Sequence, residues 1–325
     1  MEDNYHREQN YLRVSVIDRC NLRCTYCMPP NGVVFVPHSE VLRIEEIEKI
    51  VRAASTIGVK KIRFTGGEPL MRRGLDDLIR RVDSIEGIDD IALTTNAILL
   101  TAKAEMLKKA GVRRMNISLD TLRPHRYREI TRGGDFATAW EGITTALAYE
   151  FHPVKLNTVV MRGFNDDEVA DIAKLTLDKP LHIRFIEIMP VGKDIEWSQS
   201  RFVSAQEIIE RIEAVLGKLQ PTKKPTGSGP AKYYKLPDAM GTIGFITSMS
   251  EHFCNKCNRL RLTSTGFLRP CLYGSNEVDL KTPLRQGAET EDIAALIKRA
   301  VSLKIERHHM QEGWQDQRVM SQLGG

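Results

Sequence analysis

Six cysteines are the residues of this chain best suited to chemistry, and they fall into two groups of three. The first triplet has the spacing C-x3-C-x2-C and consists of Cys20, Cys24 and Cys27. The second triplet has the spacing C-x2-C-x13-C and consists of Cys254, Cys257 and Cys271. In a reducing compartment such tight grouping indicates metal ligands rather than disulfides.

Each triplet offers one thiolate fewer than a closed metal site uses. Structural zinc takes four ligands in a tetrahedron, and a [4Fe–4S] cluster takes one thiolate at each iron. A cluster held by three cysteines leaves one iron open to a small molecule, which is what a chemical site requires. The alternative is zinc completed by a histidine, either His38 for the first triplet or His252 for the second.

The composition is that of a soluble globular protein with 42% hydrophobic residues, 27% charged residues and a net charge of +5. The chain contains no apolar run of about 18 residues, no signal peptide and no GxxxxGK[ST] loop. We therefore expect a cytoplasmic enzyme without a membrane span or a P-loop. The small positive charge suits a nucleotide ligand, although a solvated basic surface would have the same charge.

Short apolar runs alternate with helical periodicity from Tyr11 to about Met189. The predicted strands are Leu12–Ile17, Lys61–Thr65, Ile91–Thr95, Arg114–Leu119, Val154–Val160 and His182–Ile188. The predicted helices are Ile44–Ile57, Leu75–Ile85, Ala102–Ala110, Ala137–Phe151 and Asp166–Leu177, with Thr101 and Asn165 as N-caps and Gly58 and Gly111 as terminators.

Repeated strand–helix units indicate a parallel sheet with helical crossovers. The predicted fold is α/β, an incomplete (β/α)6 TIM-like barrel over residues 1–200, with an open doubly wound sheet as the alternative. Ligands bind at the carboxyl ends of the strands in both folds. Residues 201–325 form a C-terminal region with the second triplet; its predicted elements are a helix from Ser204 to Leu216, a surface loop Pro221–Pro230, strands Lys232–Lys235 and Thr242–Thr247, and a helix Glu291–Ile305.

The first triplet, with Tyr26 before its last cysteine, resembles the radical S-adenosylmethionine (SAM) superfamily. Thr65-Gly66-Gly67-Glu68-Pro69 is similar to the GGEP motif of that superfamily, although two glycines alone would also suit a turn. Cys254-Asn-Lys-Cys-Asn-Arg259-Leu260-Arg261, followed by Cys271, is similar to the C-terminal cluster motif of the molybdenum cofactor biosynthesis protein A family, the GTP 3′,8-cyclases.

Other matching stretches extend the resemblance from about Leu12 to Gly325. They are Asp18-Arg-Cys-Asn, Ile62-Arg63-Phe-Thr-Gly-Gly-Glu-Pro-Leu-Met-Arg-Arg, Leu93-Thr94-Thr95-Asn96, Asn116-Ile-Ser118-Leu-Asp120, Arg184-Phe-Ile-Glu-Ile-Met189 and the terminal Gly-Gly. One departure is Ala97, where the family has glycine. We expect its β-carbon to exclude a left-handed backbone conformation.

The resemblance implies a lyase that uses two [4Fe–4S] clusters and S-adenosylmethionine. A 5′-deoxyadenosyl radical would abstract the 3′ hydrogen of GTP, giving (8S)-3′,8-cyclo-7,8-dihydroguanosine 5′-triphosphate, the first step of molybdenum cofactor biosynthesis. The first cluster would cleave S-adenosylmethionine and the second would bind the purine; the spacing does not distinguish that role from electron relay. Implied partners are flavodoxin or ferredoxin as reductant, cyclic pyranopterin monophosphate synthase downstream, and a second copy in a homodimer, with no membrane and no nucleic acid.

The resemblance also implies the roles of individual residues. The S-adenosylmethionine contacts would be Tyr26, Gly67, Ser118 and Met189, although Met189 also suits core packing and Ser118 a turn. The GTP contacts would be Arg13, Arg63, Thr94, Lys155, Arg259, Leu260 and Arg261. Arg259 and Arg261 alternate across Leu260, so both should face one side of an extended segment. Catalytic roles would fall to Arg259, Arg261 and the tail residues Gly324 and Gly325.

Two other classes of protein remain as alternatives. A peptide maturase with auxiliary clusters would carry a longer cysteine-rich C-terminus than three cysteines supply. A zinc- or nucleic-acid-binding module would show basic patches interleaved with aromatics, and aromatic residues make up only 6% of this chain.

Overall fold

One sheet organises the fold, which a computed structural model describes for residues 1–191, 195–227, 229–310, 316 and 318–323. The strands before residue 190 are β1 (Tyr11–Ser15), β2 (Lys61–Thr65), β3 (Asp90–Thr95), β4 (Arg114–Ser118), β5 (Val154–Val160) and β6 (Leu181–Glu187). The later strands are β7 (Gln220–Pro221), β8 (Lys232–Lys235), β9 (Thr242–Ile246), β10 (Arg259–Leu262), β11 (Phe267–Arg269) and β12 (Val278–Asp279).

Helices connect the strands. They are α1 (Ile44–Thr56), α2 (Leu75–Asp83), α3 (Ala104–Ala110), α4 (Pro124–Ile130), α5 (Phe136–Ala148), α6 (Val169–Asp178), α7 (Ile195–Ser200), α8 (Ala205–Leu216), α9 (Lys281–Arg285) and α10 (Thr290–Ser302). Within the described ranges, none of these helices combines the length and apolar character of a membrane span.

The six strands from β1 to β6 lie side by side in chain order, and every neighbouring pair is parallel. A doubly wound sheet would reverse its strand order at a switch point, and this sheet does not. The predicted incomplete (β/α)6 barrel is therefore confirmed, and the carboxyl ends of its strands share one rim.

The C-terminal region continues the same sheet at both edges. Strand β10 pairs in parallel with β1, and β9 pairs in parallel with β6. Antiparallel strands then extend each edge, with β11 and β12 beyond β10, and β8 and β7 beyond β9. The rim at the strand ends therefore receives residues from both halves of the chain.

Alternation along the strands separates an apolar face from a charged one. On β1 and β2, the residues Leu12, Val14, Ile62 and Phe64 are fully buried members of the main hydrophobic core. Arginines stand between them in the sequence, at positions whose side chains point to the opposite face. That face forms the barrel interior, so its charges are enclosed rather than solvated.

Some of the residues that were predicted to begin or end helices do so in the structure, and others do not. Gly111 ends α3 in a left-handed conformation, and the Ser204 hydroxyl accepts a hydrogen bond from the Glu207 amide at the start of α8. Thr101 is not an N-cap, because a 3-10 turn precedes α3. Asn165 is not one either; it lies outside α6 and bonds the backbone of neighbouring strand ends. Helix α4 was not predicted, although Pro124 at its first turn is a known start signal.

The expectation for Ala97 was wrong. Ala97 is fully buried and has a φ of 66°, so it adopts the left-handed conformation that its β-carbon was expected to exclude. Its amide donates to the Thr95 hydroxyl, and its carbonyl accepts from the Leu100 amide. Gly142 on α5 gives it room, since a β-carbon there would lie 2.3 Å from the Ala97 carbonyl oxygen.

We predict that Gly142→Ala destabilises the protein, although alanine is the better helix former by about 1 kcal/mol. The new methyl group would overlap the Ala97 carbonyl, and overpacking of this kind costs about 1–3 kcal/mol. The free energy of unfolding in urea should therefore fall by up to about 2 kcal/mol. Thr144→Ala, at an exposed position of the same helix, is the control. A Gly142→Ala protein more stable than the wild type would contradict the close approach.

Candidate active site

Both cysteine triplets face one cavity inside the barrel, the first from the carboxyl end of β1 and the second from the amino ends of β1 and β10. The expected site residues that line it are Arg13, Tyr26, Cys27, Arg63, Thr94, Ser118, Met189, Cys254, Cys257, Arg259, Arg261 and Cys271. Residues 20 and 24 lie in the loop that carries Cys27, and all six cysteines are half-buried free thiols. A cavity with sulfur donors on two walls suits a reaction between two held molecules.

The Gly66-Gly67 pair holds the first triplet against the barrel. The Gly67 amide donates to the Ile17 carbonyl at 2.8 Å, and the Glu68 amide donates to the Arg19 carbonyl at 2.8 Å. A β-carbon at Gly67 would lie 2.3 Å from the Arg19 carbonyl oxygen. The glycines are therefore needed for close contact with the cysteine loop.

Glu68 links that loop to the neighbouring strand. Its buried carboxylate accepts hydrogen bonds from the Leu70 amide, the Thr95 hydroxyl and the Asn96 amide. The Asn96 side chain in turn donates to Asn21 at 2.8 Å and to the Cys20 sulfur at 3.8 Å. Burial raises the pKa of Glu68 to about 7, although the three donors oppose that rise. The network fixes Cys20 relative to β3.

A second buried carboxylate fixes Tyr26. Asp120 accepts from the Tyr26 hydroxyl at 2.8 Å and from the Val159 amide at 2.8 Å. Burial raises the pKa of Asp120 to about 6. The Asn165 side chain donates to the carbonyls of Asp120 and Val159, so it ties the ends of β4 and β5 together beneath the tyrosine.

The thiols of the first triplet lie where a negative charge is poorly solvated. Burial raises the pKa of Cys20 to about 11 and that of Cys27 to about 12, and it also raises the pKa of Cys24. Thiolates form there readily only beside a strong positive charge. A cationic iron centre would provide that charge, so this donor set fits a bound cluster.

The second triplet has cations beside it. Burial alone would raise the pKa of Cys257, but the positive charges of Arg259 and Lys304 lower it to about 6. The Lys304 ammonium is itself buried and donates to the carbonyls of Arg259 and Pro270. Lys304 follows α10, and its role as a support for this loop was not predicted from the sequence.

Two histidines lie close to Cys254. In the described part of the chain, the ligand atoms of His252, Cys254 and His308 lie within 4.8 Å of one another. His308 has both ring nitrogens engaged: one accepts from the Met310 amide and the other lies 3.0 Å from the Ser248 carbonyl. The zinc alternative thus retains His252 near the second triplet, and metal analysis distinguishes it from iron.

Three arginines form a row across adjacent strands. Arg261 on β10 lies opposite Arg13 on β1, and Arg13 lies opposite Arg63 on β2. Neighbouring strands are only about 4.8 Å apart, so the three like charges repel one another. Burial and the neighbouring cations lower the pKa of Arg63 and of Arg261 to about 10. This row, which we call the arginine row, is suited to a multiply charged anion.

Several buried polar atoms along the cavity have no hydrogen-bond partner among the described residues. They belong to the lining side chains and are Tyr11 Oη, Arg63 Nε, Thr94 Oγ1, Asn157 Oδ1 and Arg184 Nε. A buried polar atom left unpaired costs about 1–3 kcal/mol, so a ligand that pairs with these atoms gains affinity. Tyr11 and Asn157 were absent from the predicted site, whereas Arg184 belongs to one of the matching motifs and lies on a predicted strand.

Three expected contacts do not line the cavity in the described structure. Gly67 faces the cysteine loop, and Leu260 is buried in the main core between the two arginines that do line the cavity. The Lys155 ammonium donates to the Thr226 carbonyl at 2.7 Å, and burial together with Arg184 and Arg114 lowers its pKa to about 6. Gly324 and Gly325 lie outside the described residues.

Comparison with known families gives two matches that meet near residue 180. Residues 14–176 match the Radical SAM superfamily, and residues 181–310 match Molybdenum Cofactor Synthesis C. Among solved structures, SuiB of Streptococcus suis bound to S-adenosylmethionine superposes with a TM-score of 0.60 at 14% identity, covering 89% of this chain and 68% of that one. At that identity the likeness shows the fold alone.

Full-length curated relatives are much more similar. A protein of Pelotomaculum thermopropionicum named GTP 3′,8-cyclase is 64% identical over 325 residues, covering 100% of both chains. A protein of Desulforamulus reducens with the same name is 56% identical over 325 residues, again covering 100% of both chains.

We predict that Glu68→Gln weakens metal retention at the first triplet. The glutamine side chain would point an N–H donor at the Thr95 hydroxyl or the Asn96 amide, which are themselves donors. The resulting repulsion would displace the Asn96 side chain from Cys20. Loss of such outer partners typically weakens metal binding by about 10–100-fold. The measurement is anoxic iron release to a chelator, with the exposed Glu86→Gln as control. Equal release rates in the two variants would show that Glu68 does not support the cysteine loop.

Proposed function

The chain belongs to the radical SAM family of GTP 3′,8-cyclases, and we propose that its two triplets divide one reaction between them. The enzyme uses S-adenosylmethionine and an iron–sulfur cluster. It converts GTP to (8S)-3′,8-cyclo-7,8-dihydroguanosine 5′-triphosphate in molybdenum cofactor biosynthesis. The first triplet serves S-adenosylmethionine and the second serves GTP.

The first triplet holds the radical-forming cluster. When bound there, that cluster supplies the electron that splits S-adenosylmethionine into methionine and a 5′-deoxyadenosyl radical. Tyr26, Ser118 and Met189 line the same cavity as Cys27, which supports their assignment to the cofactor. Gly67 supports the site from behind, through the backbone of the cysteine loop.

Cys254, Cys257 and Cys271 would hold a second [4Fe–4S] cluster, which would supply a binding position for the guanine base. Arg259 and Arg261 project from β10 into the same cavity directly after Cys257. Arg259 also stacks on Phe253, with its guanidinium 4.8 Å from the ring centroid. The two side chains would orient the ribose and phosphates of a nucleotide whose base is held at the cluster.

The arginine row is the observation that best supports a triphosphate ligand. Within the described lining, Arg13, Arg63 and Arg261 lie side by side, and the carboxylate of Glu187 is the one acidic group. Both Glu187 oxygens already accept hydrogen bonds from the protein, through Ala205, Met249 and Ser250. The lining on this side of the cavity is therefore strongly positive, which supports its assignment to the phosphates. Thr94 and Arg184 complete this side of the lining, and Lys155, which lies outside it, stays a predicted contact.

The C-terminal tail is anchored beside the cavity, which supports a catalytic role for Gly324 and Gly325. Arg269 is fully buried and pairs with Glu277 and Asp316, and Arg318 pairs with the same two carboxylates. Met320 lines the cavity and Leu323 is buried beside Met310. The two glycines that follow would extend from this anchor.

Other parts of the proposal rest on family membership. We assign the enzyme to the cytoplasm, with flavodoxin or ferredoxin as reductant, cyclic pyranopterin monophosphate synthase as the next enzyme and a homodimer as its assembly. We keep 1–200 as the catalytic barrel and 201–325 as the region for the second cluster and GTP.

Cysteine variants test the division of labour. Anoxically prepared wild type should hold about eight irons per chain, four at each triplet. Cys257→Ser should lose about four irons, still form 5′-deoxyadenosine and make no cyclised nucleotide. Cys24→Ser should form neither product. Stoichiometric zinc in the wild type, or cyclised product from Cys257→Ser, would contradict the proposal.

We further predict opposite effects of Thr94→Val on stability and on binding. The Thr94 hydroxyl is buried without a partner among the described residues, so its removal should leave the free energy of unfolding unchanged or raise it by up to about 1 kcal/mol. Loss of one hydrogen bond to GTP should weaken binding by about fivefold. Calorimetry checks both effects, with the exposed Thr144→Val as control. Unchanged GTP affinity would remove Thr94 from the site.

A further inference from the structure

The polar N-terminal segment contacts the loop of the second triplet. Arg7 is buried, with 6% of its surface exposed, and its guanidinium donates to three backbone carbonyls. One nitrogen donates to the carbonyls of Cys254 at 2.8 Å and Glu306 at 2.7 Å, and another donates to that of Ile305 at 2.7 Å. This arginine thus joins the cysteine loop to the chain beyond α10.

Asp3 holds the arginine in that orientation. One of its carboxylate oxygens accepts from Arg7 Nε at 2.7 Å and from the Gln9 side chain at 3.0 Å. The other oxygen accepts from the backbone amides of Tyr5 and Arg7. The Arg7–Asp3 pair is almost fully enclosed, with side-chain exposures of 5% and 0%.

Gln9 extends the contact to a second cysteine. Its side chain donates to the Cys257 carbonyl at 3.0 Å. One residue further on, Asn10 accepts from the Asn258 side chain at 2.8 Å. The segment then enters β1, whose first pair with β10 is Tyr11 opposite Arg259. Side-chain bonds therefore continue the β1–β10 register back to the cysteines.

We propose that Asp3, Arg7 and Gln9 form an N-terminal clamp that positions the second cysteine loop for substrate binding. This inference rests on the proposed GTP-binding role of the second triplet. A buried ion pair adds little stability compared with an apolar replacement, so precise positioning is the better reason for burying one here. Only a guanidinium can donate along several fixed directions at once, which lysine cannot reproduce.

Arg7→Lys tests the clamp, and Arg113→Lys is the matched control. Arg113 also donates to a backbone carbonyl and to a carboxylate, but at an exposed site away from the cavity. Arg7→Lys should still form 5′-deoxyadenosine, while KM for GTP rises by about tenfold or more. The spectroscopic change that GTP causes in the second cluster should weaken in parallel. Arg113→Lys should match the wild type in every respect.

Gln9→Met is a milder variant that leaves the Asp3–Arg7 pair intact and removes the bond to the Cys257 carbonyl. It should raise KM for GTP by about threefold to fivefold, since one of the hydrogen bonds that it removes holds the second cysteine loop. The clamp is overturned if both variants bind GTP like the wild type and show the same cluster spectra. A wild type whose second triplet holds no cluster, or whose cluster ignores GTP, overturns the proposed function and the clamp together.

Discussion

The parallel pairing of β10 with β1 is the contact on which the cavity depends. It places Arg261 beside Arg13 and sets Cys257 at the amino end of β1, facing the barrel cavity. Parallel neighbours need a long connection, and here that connection contains nearly the whole barrel. The Radical SAM and Molybdenum Cofactor Synthesis C matches therefore describe one continuous sheet, in which the catalytic cavity is built from both sequence ranges.

Function and stability compete along the interior of this barrel. Of the described lining residues, five are arginines, and the unpaired atoms of Arg63 and Arg184 add to their mutual repulsion. An apolar lining would stabilise the empty protein better, but it would bind no polyanion. Asp120 and Glu68, beside the first cysteine triplet, show the same compromise between function and stability. Each is a buried carboxylate that fixes a loop through hydrogen bonds instead of packing in the hydrophobic core.

Regular patterns predicted most of the fold and half of the site. Alternation and length gave six strands within one or two residues of their observed bounds, and cysteine spacing pointed to the two loops that face the cavity. The misses have physical causes. Asn165 was assigned to a helix cap because its strand-end partners are distant in sequence. Ala97 has room for its left-handed conformation because residue 142 is a glycine without a side chain. That glycine lies too far along the chain for a local pattern to reveal the contact. Arg7 drew no prediction, since its three carbonyl acceptors lie at least 247 residues further along the chain.

The distance along the chain between the two sides of the β1–β10 contact has a consequence for biosynthesis. Gln9 and Cys257, which bond to each other, are 248 residues apart. While the ribosome makes the intervening helices and strands, β1 has one free edge with unpaired amides and carbonyls, the feature that promotes pairing between different chains. The loop of the first triplet can settle on β2 and β3 early in synthesis. The second cysteine loop gains its support only when the last fifth of the polypeptide emerges, so the nascent chain passes through a stage with one cysteine loop in place and an exposed strand.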